Sequence, residues 1–237
     1  MQQFGKNMKQ VFTLLTTFFC YTANAQVSVK VHGAMSQIMR KGDLSAAVDI
    51  DTLARQHLFA LGPVAGLKGE IMVVDGTVYT SVRSGDTIQN VATIPKAAML
   101  VYSYVSEWKQ LEKKVTISNL RDLEKMVEHS AKEGGVDTAQ PFVFMVEAKA
   151  KRAGYHVIHW EDGIKHTLDN HKQFAIHKEE KEQDVILLGF YSKHHHSIFT
   201  HHSTNMHVHI LSRSRGIAGH LDDIQIEGPV TMHFPLR

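Results

Sequence analysis

Cysteine is almost absent from this chain of 237 residues, which contains Cys20 as its single example. Because Cys20 lies near the N-terminus, the rest of the chain can form no internal disulfide and offers no thiolate ligand or nucleophile. The composition therefore excludes a small disulfide-stabilised scaffold and chemistry based on cysteine. An oxidising compartment remains compatible with it.

The sequence also lacks an excess of one charge and a long apolar run. Its 26 lysines and arginines against 24 acidic residues give a net charge of +2 with histidine neutral. That bias is too small to favour nucleic acid or an anionic membrane as a partner. The N-terminal apolar run, residues 11–19, has nine residues, whereas a membrane-spanning helix needs about 20. We therefore expect no nucleic-acid partner and no stable membrane anchor.

The N-terminal segment has the order of a secretory signal. Lys6 and Lys9 precede the apolar run, and small residues at Ala23 and Ala25 follow it. A basic start, a short apolar stretch and a small-residue cleavage site are the three parts of such a signal. We therefore predict a signal peptide over residues 1–25 and a secreted or periplasmic protein.

The rest of the chain has the composition of a globular protein. Over the whole sequence 43% of the residues are apolar and 21% are charged, which is enough apolar material for a sizeable core. We predict one metal-binding domain over residues 26–237, which could divide into two subdomains over about 26–138 and 139–237.

The hydrophobic pattern predicts two helices and a hairpin. The helices are predicted over residues 43–59, with Asp43 as the N-cap, and over residues 118–133, with Ser118 as the N-cap. The dipeptide Asp75-Gly76 between two apolar runs is the strongest hairpin signal in the sequence.

Strands dominate the remaining prediction. They are expected at residues 26–32, 99–105, 141–146, 155–160, 185–191, 207–212 and 224–234. The charged run at residues 178–182 is expected to form a solvated loop or turn. The predicted fold class is therefore α/β of a mixed α+β type, rich in sheet, with two intertwined halves, mixed β-sheets and few helices.

Histidine is abundant, at 17 residues, and three of these histidines have the spacing of a metal site. His207 and His209 lie two residues apart on a predicted strand, so both point to one face. A turn-rich segment follows, and a hairpin return would bring His220 beside them. Three neutral histidines with an open position are typical of a catalytic zinc site, although other divalent metals accept imidazole. A solvated or buried histidine pair without metal is the alternative interpretation.

Two further features have a functional and a plain interpretation. The histidines at positions 194–196 and 201–202 could form an adventitious second metal site or be exposed polar residues of a loop. Glu70 opens an apolar strand, where a buried carboxylate could be a metal ligand or a proton donor with a raised pKa. Alternatively, Glu70 ends that strand in solvent.

Two segments together resemble motifs of the alpha-acetolactate decarboxylase family. Residues 206–220 (MHVHILSRSRGIAGH) resemble its H-x-H motif, turn and glycine–glycine–histidine, with Ala218 in place of the first glycine. Residues 69–76 (GEIMVVDG) resemble its "GELVVLDG" strand. Either motif alone is weak, but both in this order are specific, and the resemblance extends over residues 27–234.

The resemblance implies a zinc-dependent lyase that decarboxylates 2-acetolactate to acetoin and carbon dioxide. It assigns the zinc ion (Zn²⁺) to His207, His209 and His220, and it places Glu70 beside the metal. The expected partner is a small 2-hydroxy-3-keto acid, and the resemblance also suggests a homodimer.

The sequence departs from the family pattern in two places. The family's arginine for the substrate carboxylate aligns with His156, and neutral imidazole provides no permanently charged bidentate clamp. Arg152, four residues earlier, is a candidate substitute. The sequence also stops at Arg237, before the position of a further acidic residue in the family. Two alternatives therefore stay open: the same fold and zinc site with a different substrate or without activity, and a secreted histidine-rich metal-binding protein.

Overall fold

The computed structural model describes residues 26–167, 170 and 172–236. The predicted signal peptide over residues 1–25 lies outside these residues. Within the part of the chain that is described, no helix combines the length and apolar character needed to cross a bilayer.

In the described residues, thirteen strands and one α-helix form most of the structure. In chain order the strands are β1 (Lys30–His32), β2 (Val48–Asp49), β3 (Leu58–Pro63), β4 (Glu70–Val74), β5 (Thr77–Ser84), β6 (Thr87–Val91), β7 (Lys96–Ala97), β8 (Leu100–Tyr104), β9 (Trp108–Ile117), β10 (Phe142–Ile158), β11 (Ala175–Tyr191), β12 (Met206–Ser212) and β13 (Ile217–Pro235). The helix is α1 (Leu120–Gly134). The short helical turns are Gln37–Lys41, Ile50–Thr52, Ala65–Leu67 and Lys172–Phe174.

The strands form two large sheets. The first has the order β1-β8-β3-β4-β5-β6, and the second has the order β10-β11-β12-β13-β9. β10 also pairs with β13, so β10, β11, β12 and β13 close into a ring of pairings. The predicted sheet-rich class with few helices is confirmed. The pairings in both sheets are antiparallel, whereas we expected mixed sheets.

A shared core holds the two sheets together. Leu61 and Met72 of the first sheet are buried in one apolar cluster with Leu188 and Phe190 of the second sheet. A second cluster lies between the second sheet and one face of α1. Because the first cluster lies beside β4 and β11, it fixes the relative position of the residues at which the sheets meet.

The predicted helix over residues 43–59 is wrong. β2, a short helical turn and the start of β3 occupy this segment. The Asp43 carboxylate accepts hydrogen bonds from Ser45, which makes a local turn instead of an N-cap. Leu58 and Phe59 belong to a run of consecutive buried residues in β3. A strand buried on both faces has no alternation, so its apolar residues resembled one side of a helix.

The second predicted helix is confirmed as α1. Its N-cap is Asn119, whose side chain accepts a hydrogen bond from the backbone N–H of Asp122, and not Ser118 as predicted. Gly135 ends the helix in the left-handed conformation at φ 88°, where glycine has no steric penalty. The hairpin is also confirmed, with Asp75 and Gly76 at φ 44° and 78°.

The predicted loop at residues 178–182 is wrong, since these residues continue β11. Three of the five charged side chains are exposed along a long ribbon formed with β10, whereas Glu180 is buried. The two strands predicted at residues 141–146 and 155–160 are one continuous strand, β10. β10 pairs with β11 along its whole length, and this pairing keeps the polar residues in the middle of β10 in the strand conformation.

Candidate metal centre

Strand geometry brings the three predicted ligands together. His207 and His209 are separated by one residue on β12, so their side chains share one face. His220 lies on β13 directly opposite His209 in the strand register. Residues opposite each other in an antiparallel pair have side chains on the same face and about 5 Å apart at Cβ. The hairpin between β12 and β13 therefore completes a group of three imidazoles.

The imidazoles are close enough to serve one ion. Nε2 of His207 lies 3.1 Å from Nδ1 of His220, and one nitrogen from each of the three rings lies within 4.8 Å of the others. Nitrogens that bind one tetrahedral zinc ion at about 2.0–2.1 Å lie roughly 3.3 Å apart. The separation between His207 and His220 fits this value, and the His209 nitrogen, which lies within 4.8 Å of the other two, would move closer on binding.

Burial keeps these histidines neutral. Burial lowers the pKa of His207 to about 4. It also lowers the pKa of His209 and His220 well below the usual value for histidine, and their histidine neighbours lower it further. Neutral imidazole is the form that binds metal. Nε2 of His209 is fully buried without a hydrogen-bond partner, which is costly unless another group occupies that position. The donor set therefore fits a divalent ion of the zinc type.

Glu70 lies at the same site. It is the first residue of β4, its side chain is buried, and one carboxyl oxygen is 3.5 Å from Nε2 of His209. The alternative of a solvated strand end is therefore wrong. Burial raises the pKa of the Glu70 carboxyl to about 7, while His156 and a backbone hydrogen bond at Ile158 act in the opposite direction.

His156 is next to the three histidines. It faces His220 of β13 on one side and His177 of β11 on the other side in the strand register. Its Nδ1 lies 2.7 Å from a carboxyl oxygen of Asp222, so the ring is held by a charged partner. His177, His156, His220 and His209 thus form a continuous row across four strands, which we call the histidine row.

Arg152 does not take part in this site. Its guanidinium forms ion pairs with Glu179 and Asp223, and it is not among the described residues that line the cavity beside the histidines. Arg152 therefore does not replace the carboxylate-binding arginine that the family resemblance implies.

Sequence reasoning missed His177 and Asp222. Asp222 lies two residues after His220 on the same strand. This spacing places it near the histidines, but it does not show the β-bulge that lets its carboxylate reach both His156 and His177. His177 had no local signal, because only the pairing of β10 with β11 brings it beside His156.

A cavity of about 360 Å³ opens onto these side chains. Its polar lining contains Glu70, His156, His177, His207, His220 and Asp222. Its apolar wall includes Met35, Ile38, Met39, Leu67, Met99 and Ile158. Among the described residues that line the cavity, none is a lysine or an arginine. The arrangement suits a small molecule that carries both polar oxygens and alkyl groups.

The histidines of the loop between β11 and β12 make ring contacts and a hydrogen bond, and one of them reaches the cavity. Its ring contacts include His195 with Phe199 at 5.0 Å and His201 with His202 at 4.0 Å between centroids. His196 is hydrogen-bonded to Asn205. His201 also lines the cavity.

Gly219 lets β10 and β13 approach at the level of the metal ligands. A Cβ atom at this position would lie 2.5 Å from the Tyr155 ring and 2.8 Å from the backbone oxygen of His156. We expect Gly219→Ala to lower the free energy of unfolding by about 1–3 kcal/mol, as overpacking does, and to weaken metal binding by shifting His220. Denaturant unfolding and metal titration would measure both effects.

Gly154→Ala is the matched control for this prediction. Gly154 is on β10, and a Cβ atom there would meet nothing closer than 3.8 Å. An equal loss of stability in both variants would show that the close approach at Gly219 has no special role.

Comparisons with known proteins identify the family and the fold of this chain. The family model described as Alpha-acetolactate decarboxylase matches residues 31–234. The alpha-acetolactate decarboxylase of Bacillus subtilis strain 168 superposes with a TM-score of 0.70 at 15% identity, covering 87% of this chain and 85% of that one. The acetolactate decarboxylase of Bacillus subtilis subspecies spizizenii gives a TM-score of 0.73 at 13% identity, with 87% and 85% coverage.

A Staphylococcus aureus protein of unknown function, described as similar to alpha-acetolactate decarboxylase, gives a TM-score of 0.70 at 14% identity. The superposition covers 86% of this chain and 84% of that one. Among curated proteins, none matches the chain in sequence. At these identities the structural similarity establishes the fold, and the family match extends over nearly all described residues.

Proposed function

This chain belongs to the alpha-acetolactate decarboxylase family, and from that premise we propose that it is a metal-dependent carboxy-lyase converting 2-acetolactate to acetoin and carbon dioxide. The observation that carries the proposal is the group of buried His207 and His209 and half-buried His220, which lies with buried Glu70 beside one cavity. We propose zinc as the metal, since three neutral imidazoles are its usual catalytic ligand set.

The three histidines would hold the ion and leave part of its coordination sphere facing the cavity. When bound there, the ion supplies Lewis acidity toward the neighbouring hydroxyl and ketone oxygens of the substrate. The burial of the ligands keeps bulk water from the site, which strengthens every electrostatic contact within it.

Glu70 has the position and environment of a proton-transfer group. In the overall reaction the bond between the tertiary carbon and the carboxylate breaks, carbon dioxide leaves, and a proton takes its place on carbon. One proton is therefore consumed for each turnover. Glu70 is buried beside His209 and faces the cavity, so we assign it the delivery of this proton.

His156 is the second residue that we assign to substrate handling. Asp222 holds its ring at a distance of 2.7 Å, and both residues line the cavity. A ring fixed in this way would orient the substrate carboxylate by hydrogen bonding. The apolar wall would accept the methyl groups of the substrate, and its size leaves room for a longer alkyl group.

The signal-like segment at residues 1–25 adds a location to the proposal. We propose that the protein acts outside the cytoplasm, in the periplasm or after secretion. We also propose that it works as a homodimer. Sedimentation of the purified chain would test the second point, and it would be contradicted by a monomer at micromolar concentration.

The direct test is acetoin formation from racemic 2-acetolactate by the purified chain loaded with zinc. We expect acetoin and carbon dioxide in equal amounts, and at most half of the racemate consumed rapidly if one enantiomer is preferred. Absence of acetoin from a sample with a full complement of metal would reject the proposed reaction. Metal removal by a chelator should abolish the activity, and added zinc should restore it.

A second candidate is the same metal site with a different substrate or without activity. The observation that favours it is the absence of lysine and arginine among the described residues of the cavity lining, because an anionic substrate normally meets a cation. Decarboxylation of 2-hydroxy-3-keto acids with longer alkyl groups, but not of acetolactate, would support this candidate. Binding of several ions without any decarboxylation would instead support a metal-buffering protein.

A further inference from the structure

The structure places a second cluster of metal-binding side chains beside the first. His156, His177 and Asp222 each offer one ligand atom, and these atoms lie within 4.8 Å of one another. Nδ1 of His156 is 2.7 Å from one carboxyl oxygen of Asp222, and Nδ1 of His177 is 3.4 Å from the other. Two histidines and one carboxylate form a ligand set that proteins use for divalent transition metals with open positions.

The backbone is locally irregular at Asp222 in a way that favours this cluster. Leu221 pairs with Tyr155, whereas Asp223 pairs with the preceding residue of β10, Gly154. Asp222 is therefore the extra residue of a β-bulge, and no residue of β10 lies opposite it in the strand register. A bulge redirects a side chain from the regular alternation of the strand, and here the Asp222 carboxylate reaches both His156 and His177.

The histidine row connects this cluster to the first metal centre. His156 lies between His177 and His220, and the rings of His156 and His220 have centroids 5.0 Å apart. A carboxylate lies at each end of the row, with Glu70 beside His209 and Asp222 beside His177. Both ends open to the same cavity through Glu70, His177 and Asp222.

We propose that His156, His177 and Asp222 bind a second divalent cation, so that the cavity holds a two-metal centre. The Asp222 carboxylate would offset part of the positive charge of two divalent ions, and an anionic ligand would offset a further part. In this respect the inference rests on the proposed function. The second cation, held partly by His156, would take over from that ring the contact with the substrate carboxylate and supply the positive charge that the described cavity lining otherwise lacks.

The second cluster is more exposed than the first, and this difference predicts its affinity. The side chains of His177 and Asp222 are 60% and 35% exposed, whereas His209 is fully buried. We therefore expect the second ion to bind more weakly and to exchange with solvent, while the first ion is retained through dialysis.

Zinc titration of the metal-free chain, followed by calorimetry and by elemental analysis after dialysis, tests this proposal. We expect two ions per chain, one tight and one weaker. Asp222→Asn and His177→Ala should each weaken the second ion at least about tenfold and leave the first within about twofold. His209→Ala should remove the tight ion. The double variant His194→Ala with His202→Ala controls for zinc binding by the histidine-rich loop and should still bind two ions.

A single ion in the unaltered chain would overturn the proposal. The proposal would also be overturned if Asp222→Asn and His177→Ala both bound the weaker ion as tightly as the unaltered chain. Loss of the weaker ion in the double variant of the loop would overturn it too, because the ion would then bind at the loop. The titration contains no substrate, so its outcome is independent of acetoin formation, and failure of either proposal can be recognised separately.

Discussion

His209→Ala is expected to release the tightly bound divalent ion. His209 is fully buried, and an alanine side chain in its place would offer no nitrogen between His207, His220 and Glu70. Altering even a residue that only supports a ligand weakens metal binding about 10–100-fold, so loss of a ligand should weaken it by more than about a hundredfold. Elemental analysis after dialysis measures the effect.

Thermal unfolding provides a second readout of the same change. An ion present at about 100 times its dissociation constant stabilises the folded chain by roughly 2.7 kcal/mol. For a chain of this length that corresponds to an increase in Tm of about 5–11 °C. At a zinc concentration that saturates only the tight site, the unaltered protein should show this increase and His209→Ala should not.

His233→Ala is the matched control. His233 is another buried histidine, on β13, where it contacts Glu147 at 3.0 Å and packs against Trp108. Its loss should lower stability but leave the metal content unchanged. Retention of one tightly held ion by His209→Ala, at the same stoichiometry as in the unaltered protein, would show that the ligand assignment is wrong.

Glu70→Gln is expected to lower kcat about 10²–10⁴-fold while one ion stays bound. Glutamine preserves the shape of the side chain and its burial on β4, but its amide cannot act as a general acid or base. Positioned proton transfer contributes a factor of this size. Acetoin formation and metal content, measured on the same preparation, separate the loss of chemistry from the loss of the ion.

Glu180→Gln controls for the general effect of removing a buried carboxylate. Glu180 is also buried, on β11, and accepts a hydrogen bond from the Tyr155 hydroxyl at 3.2 Å. The described lining of the cavity does not include it. We expect its kcat to stay within about threefold. If Glu70→Gln kept full activity, Glu70 would have no role in proton transfer, and if it lost the ion, Glu70 would be a metal ligand instead.

The close approach of the three histidines could be predicted from the sequence because it depends on local geometry. The same-face relation of His207 and His209 follows from the two-residue period of a strand, and a short turn brings His220 back beside them. The hairpin at Asp75-Gly76 and the helix α1 are local in the same sense. Their turn and capping residues lie within a few positions of the structure that they specify.

Features that depend on contacts between distant segments could not be predicted in this way. The segment at residues 43–59 has a helix-like pattern, but pairing of β2 with β7 and of β3 with β4 and β8 gives it an extended structure instead. The role of His177 depends on the register of β10 against β11, and that of Asp222 depends on a bulge in β13. The spacing of residues along one strand predicts neither the register between two strands nor the position of a bulge.

The most direct test of the proposed metal centre is a crystal structure of the zinc-loaded chain with anomalous diffraction measured at the zinc edge. We predict a strong peak about 2.0–2.1 Å from one nitrogen of each of His207, His209 and His220. We also predict a weaker peak among His156, His177 and Asp222. The absence of a peak within bonding distance of the three buried histidines, in crystals that contain zinc elsewhere, would contradict the central claim.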